Sequence, residues 1–212
     1  MNPDPMVRVV DHPLVAHKLC ALRHRDTPHG EFRRLAREIT LLCAYEATSD
    51  LPTGESTVPT PLASAPCRRL RGPEPAVVGI LRAGLVMVDA VLELLPDAAV
   101  GHLGMYRDPS SHEPVGYYDK LPDRLGERAV LVVDPMLATG GSAVRALDLL
   151  VEAGAQDVRL LCLVGCPEGV AAVRRAHPRV PIHLAALDSH LDENRYIVPG
   201  LGDAGDRIFG TQ

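Results

Sequence analysis

Hydrophobic positions along this chain keep two different periods, and the change from one to the other organises the rest. A helix is predicted from Asp11-His-Pro13 through Arg23, with Leu14, Leu19 and Leu22 on one side. Asp11 is placed to cap it, and Pro13 suits its first turn. A second helix is predicted over residues 28–47, where Phe32, Leu35, Ile39, Leu42 and Cys43 recur at helical spacing. Residues 51–75 hold six prolines and little periodicity, which reads as a loop with one short hairpin at most.

Beyond residue 75 the pattern alternates. Strands are predicted over residues 76–81, 98–105, 129–133, 158–164 and 182–187, and helices over 85–94, 143–153 and 168–177. Residues 106–126 are polar and loop-like. The tail, 188–212, is dense in Gly and Asp with few helix signals and reads as an ordered cap. The expectation is an α/β fold: a parallel sheet covered by helices on both faces, formed by a single domain over residues 1–212. Ligands of such sheets sit at the carboxyl ends of the strands.

Composition narrows the chemistry. A length of 212 residues suits one core, since single cores serve chains of up to about 250 residues. Five Tyr, two Phe and no Trp leave little for stacking single-stranded nucleic acid, and a formal net charge of −5 argues against a phosphate-backbone partner. The expectation is no nucleic-acid partner. Five scattered cysteines, Cys20, Cys43, Cys67, Cys162 and Cys166, lack zinc spacing and read as structural thiols of a cytoplasmic protein. Residues 1–10 contain Pro, Asp and Arg, and nowhere does an apolar run reach the roughly 18 residues of a membrane span, so no membrane partner is expected. His12, His17 and His24 have neither a carboxylate partner nor metal-ligand spacing, and solvated or capping roles are expected.

Four segments carry chemistry. The first is Ala129-Val-Leu-Val-Val-Asp134-Pro-Met-Leu-Ala-Thr139-Gly-Gly-Ser142, a buried strand, a terminal carboxylate, a short loop and a helix start. Glycines let backbone N–H groups close on a phosphate. Thr139 and Ser142 add hydroxyls, the helix dipole favours an anion, and Asp134 can take sugar hydroxyls. Together they predict a pocket for a ribose 5-phosphate. A plain βα turn is the alternative, and the apolar strand ending in Asp134 weighs against it. Walker and dinucleotide fingerprints are absent. The second is Ile80-Leu-Arg82-Ala-Gly84 at another strand end. Arg82 offers a planar fork to phosphate oxygens there, or stands as a surface Arg beside a turn Gly. The third, Met105-Tyr-Arg107 and the polar stretch with Tyr117, Tyr118, Asp119 and Lys120, reads as a lid that excludes water from a reactive sugar cation, or as a surface hairpin. The fourth is Tyr196-Ile-Val-Pro-Gly200-Leu-Gly202-Asp203-Ala-Gly205-Asp206-Arg207. Its glycines and proline impose a backbone path that presents N–H and C=O groups to a flat heterocycle such as a pyrimidine edge. Physics alone leaves a Gly-rich terminal turn open.

These segments, with His12-Pro-Leu-Val15 and Tyr45-Glu-Ala-Thr48, resemble the uracil phosphoribosyltransferase family, a branch of the type I phosphoribosyltransferases. The resemblance spans nearly the whole chain. The segments at 134–142 and 196–206 are highly specific when found together in this order. It implies a type I phosphoribosyltransferase-like sheet with N-terminal helices and a C-terminal hood. It also implies transfer of the 5-phosphoribosyl group from phosphoribosyl diphosphate (PRPP) to N1 of uracil, giving UMP and diphosphate in pyrimidine salvage. Carried onto this chain, the family's PRPP site comprises Asp134, Pro135, Met136, Leu137, Ala138, Thr139, Gly140, Gly141 and Ser142. Asp134 would hold the ribose hydroxyls and Ala138 to Ser142 the 5-phosphate. Arg82 and Arg107 would bind the diphosphate. Ile197, Gly202, Asp203 and Ala204 would read uracil through backbone groups, with Asp203 also near PRPP. Asp134, Asp203 and Arg107 would stand closest to the chemistry. Mg²⁺ would travel with PRPP, since Pro135 follows Asp134 where many type I enzymes carry a second acid. No protein metal site is expected.

Two positions depart from the family pattern: Gly79 stands where Pro is common, and Arg195 where Gly is common. The resemblance further implies a homodimer or higher homo-oligomer. Some relatives are activated by GTP, and nothing in this chain assigns such a site. A transferase of the same fold for another base, and a nucleotide-sensing RNA-binding regulator with a basic face, are the rival readings.

Overall fold

The computed structural model describes residues 4–107 and 114–211, with the side chains of residues 106, 107, 114 and 115 outside that description. The chain opens with β1 (Val7–Val9), α1 (Pro13–Arg23) and α2 (His29–Ala47), then a hairpin of β2 (Thr53–Pro59) and β3 (Ser64–Leu70). Next come β4 (Ala76–Leu81), α3 (Leu85–Leu94), β5 (Ala99–Arg107), β6 (Pro114–Lys120), β7 (Ala129–Val133), β8 (Met136–Leu137) and α4 (Gly141–Glu152). β9 (Asp157–Gly165), α5 (Pro167–Ala176) and β10 (Ile182–Leu187) follow, and the tail holds β11 (His190–Leu191), β12 (Ile197–Val198) and α6 (Ala204–Phe209).

Among the described residues, eight strands form the main sheet in the order β1-β10-β9-β7-β4-β5-β6, with β8 beside β9. All its pairings are parallel except β5 with β6, an antiparallel edge. The strands are apolar on both faces because helices cover both. Val77, Leu131, Val133, Leu161 and Leu163 pack with α1, α2, α3 and α6. Val78, Val130, Val132, Leu160 and Cys162 pack with α4 and α5. All ten are at most 0% exposed, and each apolar side chain so buried contributes roughly 1.5–3 kcal/mol. The charged exception, Arg159 on β9, is paired: it donates to the Ala47 carbonyl at 2.8 Å and meets Asp50 at 2.5 Å and Asp157 at 3.1 Å. It thereby ties the end of α2 to the sheet.

The topology positions a crevice. From β4 the chain passes through α3 to β5 on one side; from β7 it passes through α4 to β9 on the other. β4 and β7 are neighbours, with Gly79 opposite Val133. The strand order therefore reverses between them, which is where such sheets bind ligands.

The α/β expectation holds, with differences in detail. α1 is capped by His12, whose Nδ1 accepts from the Leu14 N–H at 3.1 Å, not by Asp11. Residues 51–75 are mostly the seven-residue strands β2 and β3, paired from Thr53–Leu70 to Pro59–Ser64. Among the described residues the hairpin pairs with no third strand, so Pro66 breaks no wider ladder, and no apolar face repeats to betray it. Part of the stretch read as loop, 106–126, is β6; residues 108–113 of it lie outside the described residues. β1, β8, β11, β12 and α6 are too short to show a period, and α6 lies in the tail read as poor in helix signals.

Gly79 lies under α3, where an added Cβ would come 2.6 Å from Val88 Cγ2. Val88 is β-branched and buried, so it has little room to turn aside. Gly79→Ala is expected to cost about 1–3 kcal/mol in denaturant unfolding, and the added change Val88→Ala to restore part of it. An unshifted midpoint for Gly79→Ala would contradict the close approach.

Candidate functional site

At the carboxyl end of β7 the backbone turns out of the sheet. The Asp134 N–H donates to the Leu161 carbonyl at 3.2 Å, and the Pro135 carbonyl accepts from Leu163 and Val164 at 3.1 and 3.0 Å. β8 then runs beside the end of β9, with Met136 opposite Val164 and Leu137 opposite Gly165. Gly140 follows at φ +82°, a left-handed conformation that favours glycine, and α4 begins at Gly141 with no side-chain cap. The first N–H groups of a helix have no partner within it, and here they face a small cavity of about 40 Å³. Asp134, Met136 to Ser142 and Ala143 line that cavity. The Gly141 N–H reaches Thr139 Oγ1 at 3.5 Å, and the amides after it, the helix dipole and the Ser142 hydroxyl can serve as an anion seat.

Asp134 is half-buried at the rim of this seat. Burial pushes its carboxyl up to about 7, against the downward pull of a hydrogen bond from the Met136 N–H. Neighbouring Cys162 is raised well above the usual thiol range, by burial first and by the Asp134 charge second. It stays a neutral core thiol.

The loop is braced from behind by α5, a support that the sequence reading missed. Cys166 Sγ donates to the Ala138 carbonyl at 3.1 Å, and the Cys166 N–H donates to the Leu137 carbonyl at 3.2 Å. A Cβ on Gly169 would lie 2.5 Å from the carbonyl oxygens of both Leu137 and Ala138. A glycine in a helix's first turn was the available signal.

The second segment lies alongside. The Leu81–Arg82 peptide bond is cis. A Cβ on Gly84 would lie 2.6 Å from the Ile80 carbonyl oxygen and 2.7 Å from that of Val133. The loop after β4 is thus pressed onto the residue preceding Asp134. Arg82 is 61% exposed at the side chain, with Nη2 4.0 Å from Asp206 Oδ1 and its guanidinium carbon 5.7 Å from the centre of the Phe209 ring. Arg107 closes β5 through its backbone, and its side chain lies outside the described residues. Of the lid segment, Tyr117 and Tyr118 lie on β6 and are exposed.

The tail forms the third part. β12 carries Ile197, whose side chain is buried, so only its backbone can meet a ligand. Gly200 at φ +58° and Gly202 at φ +76° need their glycines, and a Cβ on Gly200 would fall 2.0 Å from the Ile197 carbonyl oxygen. Asp203 caps α6, its Oδ1 accepting from the Asp206 N–H at 2.9 Å. Ala204 packs into the core. Arg195 has φ +66°, the left-handed region in which glycine is the easier residue.

Arginines pin this tail to the amino-terminal helices, Arg33 through the Ile208 carbonyl at 2.7 Å and two others through several partners each. Arg23 donates to both Asp188 carboxylate oxygens and to the Gly200 carbonyl, each at 2.7 Å. Arg207 donates to Leu201 and His24 carbonyls at 2.8 and 2.6 Å and stacks its guanidinium 4.4 Å from the Phe32 ring centre. Sequence reasoning assigned neither, because their partners lie far along the chain. The Leu191 N–H also donates to Glu168 at 3.1 Å, joining the tail to α5. A cavity of about 980 Å³ along β2 and β3 shares no lining residue with these segments. Among the described residues, no group of three or more His, Cys, Asp or Glu side chains is placed to hold a metal.

The family model described as uracil phosphoribosyltransferase matches residues 9–211. A uracil phosphoribosyltransferase of Symbiobacterium thermophilum is 59% identical over 206 residues, covering 97% of this chain and 99% of the relative. One from Clostridium beijerinckii is 55% identical over 203 residues, covering 96% and 97%. Among solved structures, the AQ2163 protein from Aquifex aeolicus superposes with a TM-score of 0.91 at 34% identity, over 96% of this chain and 97% of that one. Adenine phosphoribosyl transferase from Trypanosoma brucei shares the fold, with a TM-score of 0.58 at 15% identity over 94% and 89% of the two chains.

The raised Asp134 carboxyl has a consequence for stability. Folding lifts its pKa from 3.8 to about 7, so the native state holds the proton more tightly. The contribution is fully present below about pH 4 and is lost as pH rises through about 7. Asp134→Asn, which stays neutral, is therefore expected to gain in melting temperature relative to the parent between about pH 5 and pH 8. A gap between the two that is constant with pH would mean that Asp134 titrates as an ordinary carboxyl.

Proposed function

The chain belongs to the uracil phosphoribosyltransferase family, and from that premise we propose how its residues divide the work. The enzyme is a pentosyltransferase of pyrimidine salvage that moves the 5-phosphoribosyl group from PRPP to N1 of uracil, releasing UMP and diphosphate. The observation that carries the division of labour is the glycine-led amino end of α4 beside the half-buried carboxyl of Asp134.

In this reading the amides of Ala138 to Ser142 bind the 5-phosphate, and Asp134 accepts hydrogen bonds from the ribose hydroxyls. Those donors favour the ionised carboxylate, so sugar binding draws the Asp134 pKa down from about 7. Breaking the bond between the anomeric carbon and diphosphate leaves positive charge on the sugar and negative charge on the leaving group. Arg82 and Arg107 stabilise the diphosphate, and the Asp134 carboxylate tolerates the sugar cation. Backbone groups of Ile197, Gly202, Asp203 and Ala204 hold the pyrimidine so that N1 faces the anomeric carbon. The new C–N bond forms there as the bond to diphosphate breaks, and the N1 proton passes to the departing diphosphate or to solvent.

Mg²⁺, which arrives with PRPP, supplies further charge neutralisation on the diphosphate. The residues present fit that mode of delivery: Pro135 follows Asp134, and Asp203 spends one carboxylate oxygen on capping α6. A homodimer or higher homo-oligomer accords with the exposed Leu14 and Tyr45 side chains. Five free thiols accord with a reducing, cytoplasmic setting. The net charge of −5 accords with small-molecule substrates and no nucleic-acid partner.

The deciding assay is conversion of labelled uracil to UMP with PRPP and Mg²⁺, in competition with cytosine, orotate and purines. Uracil is expected to outcompete the others, and no UMP above background would overturn the reading. Asp134→Asn is expected to lower kcat by roughly 10–100-fold with uracil affinity little changed. A matching loss of uracil affinity would remove Asp134 from the ribose.

A further inference from the structure

Arg82 reaches the site from the sheet, yet both groups that hold its guanidinium come from the tail helix α6. Asp206 Oδ1 lies 4.0 Å from Arg82 Nη2, and the Phe209 ring centre lies 5.7 Å from its Cζ. At 4.0 Å the carboxylate is too far to accept a hydrogen bond, so it attracts the guanidinium without occupying its donors. The ring face adds a second, donor-sparing attraction. The arrangement orients the fork and leaves its N–H groups for an incoming anion.

α6 is itself fixed. Ile208 is 1% exposed in the core, and Arg33 donates to the Ile208 carbonyl at 2.7 Å. Arg207 ties the helix back to Leu201 and His24. Asp203 caps it through the Asp206 N–H, and Asp206 is steadied by a 2.7 Å hydrogen bond from Thr211 Oγ1. The residues assigned to the uracil frame and those holding Arg82 are thus consecutive on one rigid segment.

We propose that Asp206 and Phe209 are positioning residues: they preset the Arg82 guanidinium for the diphosphate, so that α6 joins the base frame to the leaving-group site. This rests on the assignment of Arg82 to diphosphate above. An exposed arginine has many rotamers, and holding it near its working position in advance removes part of the ordering cost of binding. The effect falls on PRPP and not on uracil.

The test is a double-mutant cycle on the intact enzyme. Asp206→Asn removes the charge and keeps an oxygen for Thr211; Phe209→Leu removes the ring, and Phe209→Tyr keeps it. Asp206→Asn and Phe209→Leu are each expected to raise KM for PRPP about 3–10-fold, with kcat and KM for uracil within about twofold, and Phe209→Tyr to behave as the parent. In an Arg82→Ala background, Asp206→Asn and Phe209→Leu should change KM for PRPP by less than about 1.5-fold. Equal losses in both backgrounds, unchanged kinetics, or a lower KM for PRPP in Asp206→Asn would overturn the proposal, the last by making Asp206 a competitor for Arg82. Should Arg82→Ala alone leave PRPP use untouched, the underlying diphosphate assignment fails instead.

Discussion

A hydrogen atom in place of a side chain at residue 84 allows the two strand ends of the site to meet. Any Cβ there would sit inside contact distance of the Ile80 and Val133 carbonyl oxygens, at 2.6 and 2.7 Å. Both are backbone atoms of central strands, so neither can yield without distorting the sheet. The loop after β4 and the carboxylate after β7 are therefore locked together at the point where the strand order reverses. Gly169 repeats the device from the other side, holding α5 against the carbonyls of Leu137 and Ala138. The loop between those contacts is the one proposed to grip with main-chain amides, whose aim depends on the backbone being confined.

The tail is confined differently. It packs through Ile197, Leu201, Ala204 and Ile208, and its direction is set by cations. Arg23 gathers Asp188 and the Gly200 carbonyl, and Arg207 spans Leu201, His24 and the Phe32 ring. Each guanidinium satisfies several acceptors at once, which a planar fork does well and an ammonium does not. α1 and α2, which contribute no residue to the proposed chemistry, thus become supports of the base frame.

Much of this was legible in the chain. The strand 129–133, the strand 182–187 and the helix 85–94 have the predicted bounds, because each is a long enough apolar run between clear breakers. The Asp134-to-Ser142 segment could be read because strand, carboxylate, glycines and helix are consecutive. What escaped was short or non-local. β1, β8, β11 and β12 hold two or three residues each and owe their existence to neighbouring strands. The β2–β3 hairpin was expected only as a short one, because its prolines masked the length of its strands. The cap of α1 passed to His12 because a ring nitrogen reached the Leu14 N–H where Asp11 did not. Arg23, Arg207 and Gly169 matter through partners that only the fold supplies. Arg195, set against a family pattern that favours glycine, acquires a physical meaning from its positive φ.

The proposed sugar-phosphate grip is one contiguous stretch of chain, whereas the proposed heterocycle frame is a separate appendage fastened by arginines to the opposite terminus. On the proposed assignments, the backbone of the frame can vary while Asp206 and Phe209 of the same appendage keep their contacts with Arg82. Substitutions in the appendage can drift toward a new nucleobase without touching the glycines that fix the loop. On that assignment, the split leaves the choice of acceptor to a part of the chain that does not contain the phosphate loop.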